Sequence, residues 1–396
     1  MTPTRAARAA GLARRLLGER PFFVGAGTAL AFQVVGDSWL DALASPTLAL
    51  FLFTWLFVAM LWAAFGVVRH ADALAGLLGE PYGTLILTLA VIGIEVSLIS
   101  AVMLSGEASP ALARDTMYAA LMIVLNGLVG GALLLGGLFH REQDYNLQGA
   151  RSFLAVLLPL AVISLILPKF TLATDTPTFS PLQEAFFAGT SALLYAIFLG
   201  VQTVRHSGYF REPYAPEDGA DGALARTEDV DLDEGDGATA GDGPPVPPLP
   251  YHVLLLALTL LPIVLLSDRL AELVDFGIAH SGAPVALGGV IIALMVLTPE
   301  GLTALRAARI NQLQRSVNIL LGAALSTIGL TVPAALLIGL AIGQPVVLGL
   351  DDASAVMLLL TLLVSALTFG GVRTNVLQGA IHLVLFLAYL LLIFDR

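Results

Sequence analysis

The chain has 396 residues, of which 57% are hydrophobic and only 12% are charged, and its mean hydropathy is +0.87. A soluble protein of this length cannot bury so much apolar surface, and its long apolar runs are continuous rather than alternating, which excludes a β-barrel. Since the chain has no cysteine, disulfides, thiol catalysis and cysteine-ligated metals are excluded as well. The formal net charge is −11.

The apolar runs predict eleven transmembrane helices, so the expected fold class is an all-α polytopic membrane protein. A basic leader at 1–21 precedes them and is expected to be cytoplasmic. The predicted spans are 22–40, 46–68, 83–104, 117–139, 152–169, 183–204, 251–268, 284–305, 316–341, 353–371 and 375–394.

The basic residues are distributed unequally between the two sides of this arrangement. With the N-terminus inside, fifteen of the nineteen Lys and Arg residues lie on one side and four on the other. Positively charged residues accumulate in cytoplasmic loops. The sequence therefore predicts a multi-pass protein of the cell's inner membrane, with a cytoplasmic N-terminus and an external C-terminus.

A polar segment at 205–250 divides the chain into a first part at 22–204 and a second part at 251–394. Between 217 and 242 it has ten acidic residues, one Arg and many Gly, and it ends in GPPVPPLP. This composition is typical of a disordered, charged linker, and it accounts for most of the net negative charge.

The linker also contains the alternate aspartates Asp229, Asp231 and Asp233 in DVDLDEG, a spacing found in calcium-binding loops. The segment lacks the Gly at the sixth position and the Glu at the twelfth position of an EF-hand loop. A solvated linker is therefore favoured, and a regulatory calcium sensor stays open as the alternative.

The two parts resemble each other. Residues 115–129 align with 315–329 at an offset of 200, and each part has one glutamate deep in a span, Glu95 in the third and Glu300 in the eighth. The third predicted span runs from inside to outside and the eighth runs the opposite way. Because related halves of opposite orientation are the plan of many secondary transporters, we expect an inverted repeat.

Glu95 and Glu300 are the predicted binding residues for an ion and for protons. A carboxylate near the bilayer centre usually faces a cavity, a partner or an ion path, although a neutral glutamate that only packs helices is the structural alternative. Pro299 cannot donate a hydrogen bond to the carbonyl of Met295, so we expect an opened backbone beside Glu300. Gly93 is expected to loosen the first half more weakly.

Neighbouring hydroxyls and amides are expected to complete a polar shell, although each of them alone is more often a helix–helix hydrogen bond. The predicted shell residues are Thr88, Ser97, Asn126, Thr298 and Ser326. Oxygen-only ligands select hard cations such as Ca²⁺. One Ca²⁺ neutralises two glutamates and so do two protons, so ion and protons are expected to compete, and Na⁺ is not excluded.

Two regions resemble the conserved regions of bacterial calcium/proton antiporters, members of the cation/Ca²⁺ exchanger superfamily. The first is PYGTLILTLAVIGIEVSLISAVML at 81–104 with ALARDTMYAALMIVLNGLVGG at 111–131, and the second is VIIALMVLTPEGLTALRAARINQLQRSVNILLGAALSTIGLTVP at 290–333. The resemblance implies an eleven-helix exchanger fold, with a first helix outside two inverted five-helix repeats. It also implies alternating access, with Glu95 and Glu300 as shared Ca²⁺ and H⁺ sites.

The leading hypothesis is a secondary antiporter that exchanges Ca²⁺ for H⁺, with the lipid bilayer as its surroundings and no nucleic-acid partner. It predicts no enzymatic activity and no resident cofactor. The alternatives are Na⁺(K⁺)/H⁺ antiport at the same site and, less favoured, a passive cation channel. The sequence has no Walker A motif, so it does not indicate transport driven by ATP. The serine of GTSALLY at 189–195 has no Gly-x-Ser-x-Gly elbow around it, so the sequence does not indicate an intramembrane serine enzyme either.

Overall fold

The computed structural model describes residues 18–41, 45–79, 82–105, 111–212 and 247–395. Within these ranges the chain forms eleven long helices, which confirms the predicted all-α polytopic class. They are α1 (Arg20–Asp41), α2 (Pro46–Leu78), α3 (Tyr82–Ser105), α4 (Leu112–His140), α5 (Leu147–Lys169), α6 (Pro181–Arg205), α7 (Leu249–Ser281), α8 (Ala286–Arg309), α9 (Leu313–Ile342), α10 (Asp352–Thr368) and α11 (Val376–Phe394).

Eight of these helices, counted over the described residues, are long and apolar enough to cross a membrane. They are all except α1, α3 and α10, and α10 and the centre of α3 form shorter apolar helices. Helix α2 ends at Leu78 rather than at the predicted 68, and α7 ends at Ser281 rather than at 268. Both continue through charged turns, because Ala- and Leu-rich sequence favours helix beyond the apolar window that defines a span.

The buried residues form two clusters. One cluster consists mainly of α4, α5, α6, α9, α10 and α11, and the other mainly of α1, α2, α3 and α7, while α3, α4 and α8 contribute residues to both. Phe32 of α1 is 1% exposed, and its ring contacts Trp39 of the same helix and Trp55 of α2. Helix α1 is therefore packed onto α2 and α7, while α8 connects the two clusters.

Three helices contain a π-helical segment, at Ile123–Leu128 in α4, Thr327–Thr331 in α9 and Val201–Arg205 in α6. A π-helical turn inserts one residue into the α-helical register, and such turns are frequent at functional sites. At the offset of 200, the segment of α4 corresponds to 323–328 and therefore overlaps the segment of α9 at two positions. Both aligned helices thus have a π-helical segment, in nearby but shifted places, and the expected inverted repeat stays a prediction.

A two-stranded antiparallel ladder joins β1 (Glu142–Asp144), which follows α4, to β2 (Arg373–Asn375), which precedes α11. The side chain of Arg373 pairs with Asp144 at 2.8 Å. Tyr145 donates a hydrogen bond to the carbonyl of Gly371, and burial raises the pKa of this tyrosine to about 12. We call this ladder with its side-chain bonds the β1–β2 clamp.

Helices α4 and α11 touch backbone to backbone through glycines. A Cβ atom at Gly137 would lie 2.7 Å from the backbone nitrogen of Val376, and one at Gly379 would lie 2.4 Å from that of Leu134. Small residues allow this close approach between membrane helices. The β1–β2 clamp and the glycine contact together join α4 to α11.

Candidate ion-binding site

Glu95 lies in the middle of α3 and is 4% exposed. Its Oε2 atom accepts hydrogen bonds from the hydroxyls of Thr331, at 2.8 Å, and Thr327, at 3.2 Å. Both threonines belong to the π-helical segment of α9. Hydroxyl donors stabilise the charged form of a carboxylate, so this pair holds Glu95 in a fixed, polar setting.

The two threonines are site residues that the sequence analysis missed. The signal was present in the segment TIGLT, which puts two hydroxyls four residues apart inside an apolar helix. Because residues at this spacing share one helix face, the segment could have been interpreted as a polar strip toward a buried partner. Their bonds place Glu95 against α9, which belongs to the second part of the chain.

Glu300 lies in α8, and its Oε2 atom is buried without a hydrogen-bond partner among the described residues. The carboxyls of Glu95 and Asp72 lie within Coulombic range of it. The structure therefore brings the two predicted glutamates into one site. A buried carboxylate oxygen without a donor is costly unless a cation or a proton satisfies it.

Helix α8 is continuous from Ala286 to Arg309, so the backbone is not opened at Pro299 as expected. Threonine hydroxyls bond two backbone carbonyls near the proline. Thr298 donates to the carbonyl of Leu294, and Thr303 donates to the carbonyl of Pro299 at 2.9 Å. The Thr298 hydroxyl is consequently engaged with the backbone.

A cavity of about 530 Å³ contains Glu300 in its wall. Asp72 of α2 and Ser326 of α9 line the same cavity, which also reaches Arg211, Glu212 and Arg315. Arg211 and Glu212 belong to the first residues of the 205–250 linker and precede its acidic section at 217–242. We call this space the Glu300 cavity, and it connects the glutamate with the first residues of the linker.

Asp72 is a further residue that the sequence analysis missed. It lies beyond residue 68, where the predicted second span ended, and the structure keeps it in the last turns of α2. The residue lines the Glu300 cavity, and Arg315 lies within Coulombic range of its carboxyl. A hydropathy window assigns such a residue to a loop, so the sequence alone did not indicate a cavity wall.

Thr88 reaches the site through Tyr195 of α6. The two hydroxyls are hydrogen bonded, Tyr195 lies within Coulombic range of Glu300, and both residues line the cavity. Gly329 of α9 makes room for the ring, because a Cβ atom there would lie 2.7 Å from it. Thr88 thus lines the same cavity as Glu300, and its role in an ion-binding shell stays a prediction.

The remaining predicted shell residues have different partners. Ser97 donates to the carbonyl of Gly93 at 2.5 Å, one turn earlier in α3, and Gly93 itself faces Leu260 of α7. Ser326 lines the cavity while its hydroxyl donates to the carbonyl of Ala323 at 2.9 Å. These hydroxyls are bonded to their own helices, a common use of serine in membrane helices.

Asn126 lies in a separate buried network. Its amide nitrogen donates to Thr361 of α10 at 2.8 Å, and its amide oxygen is 3.3 Å from Nδ1 of His382 in α11. The other ring nitrogen of His382 is 2.9 Å from the Thr368 hydroxyl. These hydrogen bonds of Asn126 join α4, α10 and α11, and none of them reaches Glu95 or Glu300.

No group of three or more His, Asp or Glu side chains in the described part of the chain is arranged to hold a metal ion. The predicted regulatory residues Asp229, Asp231 and Asp233 lie outside the described residues. The candidate ion site therefore consists of the two glutamates, the hydroxyls around them and the cavity wall.

Comparisons with known proteins agree with this architecture. The family model described as sodium/calcium exchanger protein matches residues 48–204 and 251–394. The chain is 42% identical to y4hA of Sinorhizobium fredii, named for ionic transport, over 83% of this chain and 85% of that one. It is 41% identical to the sodium-potassium/proton antiporter ChaA of Escherichia coli, over 85% and 87%.

A solved structure of the Ca²⁺/H⁺ antiporter protein YfkE shares the fold. Its TM-score is 0.67 at 17% identity, over 95% of this chain and 99% of that one. The family model covers both parts of the chain and stops on either side of the acidic linker. On the extent of these matches, the chain belongs to the sodium/calcium exchanger protein family.

Proposed function

We propose that the protein is a secondary antiporter that exchanges Ca²⁺ for H⁺ across the inner membrane, with both competing for Glu95 and Glu300. One observation carries this proposal. In the wall of a cavity, the Oε2 atom of Glu300 is buried and has no hydrogen-bond partner among the described residues, and a second buried carboxylate lies within Coulombic range. Two such groups together favour binding of positive charge.

Charge balance explains why exchange, rather than cotransport, suits this pair. A divalent ion neutralises both carboxylates, and its release leaves two buried like charges whose repulsion and poor solvation are relieved by two protons. In both directions of transport, the negative charge of the two carboxylates is then compensated while the site changes the side to which it is open. The hydroxyls of Thr327 and Thr331 keep Glu95 in place while its counter-charge changes.

The Glu300 cavity is the route by which ions reach Glu300 from one side of the membrane. It reaches Arg211, Glu212 and Arg315 near the linker, and the linker is predicted to be cytoplasmic. This arrangement corresponds to access from the cytoplasm, and alternating access requires a second arrangement open at the opposite end. Asp72 is a charge in the wall that attracts cations toward Glu300.

Antiport of Na⁺ or K⁺ against H⁺ at the same site is the second candidate. Two observations favour it: the 41% identity to a sodium-potassium/proton antiporter, and the residues that precede the glutamates. Val91, Ile92, Val296 and Leu297 have no side-chain oxygen, so fewer ligands are available than the six to eight that Ca²⁺ usually takes.

Proteoliposomes with an imposed pH gradient test the proposal. Uptake of radiolabelled Ca²⁺, Na⁺ and Rb⁺ is measured in parallel, with proton movement followed by a pH-sensitive dye. We expect Ca²⁺ uptake that needs the gradient and is abolished by Glu95→Gln and by Glu300→Gln. Glu272→Gln is the matched control, because this glutamate of α7 is 47% exposed and pairs with Arg269.

The outcomes separate the candidates. Gradient-driven uptake of Na⁺ or Rb⁺ but not Ca²⁺ would establish the second candidate. Uptake that needs no pH gradient and moves no protons would indicate a channel. Full activity of both glutamine variants would contradict the site assignment.

A further inference from the structure

A cluster of titratable side chains outside the Glu300 cavity joins the start of α1, the end of α2 and the start of α7. It contains Glu19, Arg69, His70, Tyr251 and His252, and we call it the His70–His252 cluster. His70 is 2% exposed, His252 is 8% exposed and Glu19 is 9% exposed. None of the five lines the Glu300 cavity, so the proposed transport cycle does not use them.

Glu19 contacts three other members of the cluster. Its Oε2 atom lies 2.5 Å from Arg69 and 3.0 Å from Nε2 of His70, and its Oε1 atom accepts a hydrogen bond from the Tyr251 hydroxyl at 2.8 Å. Nδ1 of His70 lies 3.1 Å from Nδ1 of His252. Besides the two rings themselves, the titratable and charged groups that the described part of the structure places at this contact are Glu19, Arg69 and Tyr251.

The contact between the two rings limits the number of protons that the pair can hold. A separation of 3.1 Å between two ring nitrogens admits one hydrogen between them, so one Nδ1 donates and the other accepts. If Nε2 of His70 donates to Glu19, its Nδ1 accepts from His252, and Nε2 of His252 is the vacant basic atom. That atom is buried and has no partner among the described residues.

A first added proton at Nε2 of His252 leaves the ring contact intact. A second added proton puts a hydrogen on both Nδ1 atoms, which cannot then remain 3.1 Å apart. The same limit applies if Nε2 of His70 accepts from Arg69 at 3.2 Å instead. In either tautomer the fully charged pair repels, so acidification acts directly on the contact between α2 and α7.

The position of His70 on α2 connects this contact with the cavity. Val68 and Asp72, four residues apart, share the helix face that lines the Glu300 cavity. His70 lies between them, at about 200° from each, because an α-helix turns about 100° per residue. One turn of α2 therefore has the cavity on one face and the His70–His252 cluster on the other.

We propose that the His70–His252 cluster is a second proton-binding site, distinct from the transport glutamates. Protonation of both histidines separates the end of α2 from the start of α7. Displacement of α2 at this turn moves Asp72 and Val68, and so changes access to the Glu300 cavity. This role is independent of which cation is transported, and it makes the transport rate depend on pH at the linker end of the protein.

The natural absence of cysteine permits a direct measurement. Leu77→Cys in α2 and Val253→Cys in α7 replace residues that are 44% and 47% exposed, and both can carry nitroxide labels. The distance between the labels is measured by pulsed electron paramagnetic resonance in reconstituted full-length protein at pH 8 and pH 5. We expect the distance distribution to shift to longer values at pH 5.

Two further variants that carry the same pair of labels identify which residues cause the shift in distance. In Glu300→Gln the shift should persist, since it does not depend on transport, and a failure of the proposed antiport would leave it unchanged. In the double variant His70→Gln with His252→Gln it should disappear. A distance that is equal at both pH values in the wild-type background, or a shift that is lost in Glu300→Gln, would overturn the proposal even if the histidine variant does not fold.

Discussion

Thr331 of α9 donates its hydroxyl hydrogen to Glu95 of α3 over 2.8 Å, so a residue of the second part of the chain holds the glutamate of the first. A hydrogen bond to a charged group contributes about 1.5–3 kcal/mol, and its loss favours the protonated carboxyl. We predict that Thr331→Val lowers by roughly tenfold the H⁺ concentration that halves cation uptake. The measurement is initial uptake as a function of pH at a fixed cation concentration.

Thr331→Ser is the control for this change, because serine keeps the hydroxyl and removes only a methyl group. Its pH profile should follow the wild type. If Thr331→Val has an unchanged profile as well, the hydroxyl does not tune the competition between cation and proton at Glu95.

The carboxylate of Asp72 in the wall of the Glu300 cavity leads to a prediction on the kinetics of cation uptake. Asp72→Asn removes a negative charge from the passage to Glu300 without touching the glutamates, so KM for the cation should rise several-fold at low ionic strength while Vmax is kept. The effect should shrink in about 0.15 M salt, where screening acts over about 8 Å. Asp37→Asn is the control, since this exposed aspartate of α1 pairs with Arg269. Loss of Vmax at saturating cation would point to a different role for Asp72.

Glu212 stands at the mouth of the Glu300 cavity, and burial raises its pKa above the usual value of a glutamate. A raised pKa means that the negative charge is absent at low pH and appears only as the pH rises through that value. We therefore predict that Glu212→Gln reduces cation uptake more at pH 8 than at pH 6. A ratio of variant to wild-type uptake that is constant over this range would contradict an electrostatic role for Glu212.

The glycine contact between α4 and α11 predicts a selective loss of stability. Gly379→Ala places a methyl group 2.4 Å from the backbone nitrogen of Leu134, which must force the helices apart, whereas a Cβ at Gly277 meets nothing within 4 Å. Overpacking of this kind costs about 1–3 kcal/mol. The apparent Tm in detergent should fall clearly for Gly379→Ala and stay level or rise slightly for Gly277→Ala.

Substitution of Asn126 tests whether this residue belongs to a structural hydrogen-bond network or to the ion-binding site. Asn126→Ala removes one hydrogen-bond partner from Thr361 and one from His382, so we predict a loss of about 1–3 kcal/mol in stability. Because Asn126 is not bonded to either glutamate, KM for the cation should stay within about twofold of the wild type. A large increase in KM with unchanged thermal stability would return Asn126 to the ion-binding shell.

Much of the fold follows from the sequence because a membrane helix must be apolar and uninterrupted over about 20 residues. All eleven helices were predicted, and the ends differ mainly where α2 and α7 continue through charged turns. Helix α10 spans Asp352–Thr368, close to the predicted 353–371. Hydropathy reports the solvent around a segment, and it does not report where helical hydrogen bonding ends.

The site was predicted less completely. Glu95 and Glu300 were identified because buried carboxylates in apolar spans are rare, and the structure brings them together. Their partners depend on helix packing and register, which a single sequence does not specify. Thr331 reaches Glu95 from α9, while Asn126, equally polar, faces α10 and α11 instead. The four-residue spacing of Thr327 and Thr331 indicates a shared polar face, but it does not indicate that this face meets α3, and the π-helical turns of α4 and α9 shift the faces further.

The β1–β2 clamp has a mechanical consequence. It joins the loop after α4 to the loop before α11, and the glycine contact joins the two helices themselves, so this pair has little freedom to slide. Under the alternating access proposed above, α4 and α11 therefore move as one unit, and the displacement that changes access to Glu300 lies between this pair and other helices. The distance between α4 and α11 should then be the same in both access states.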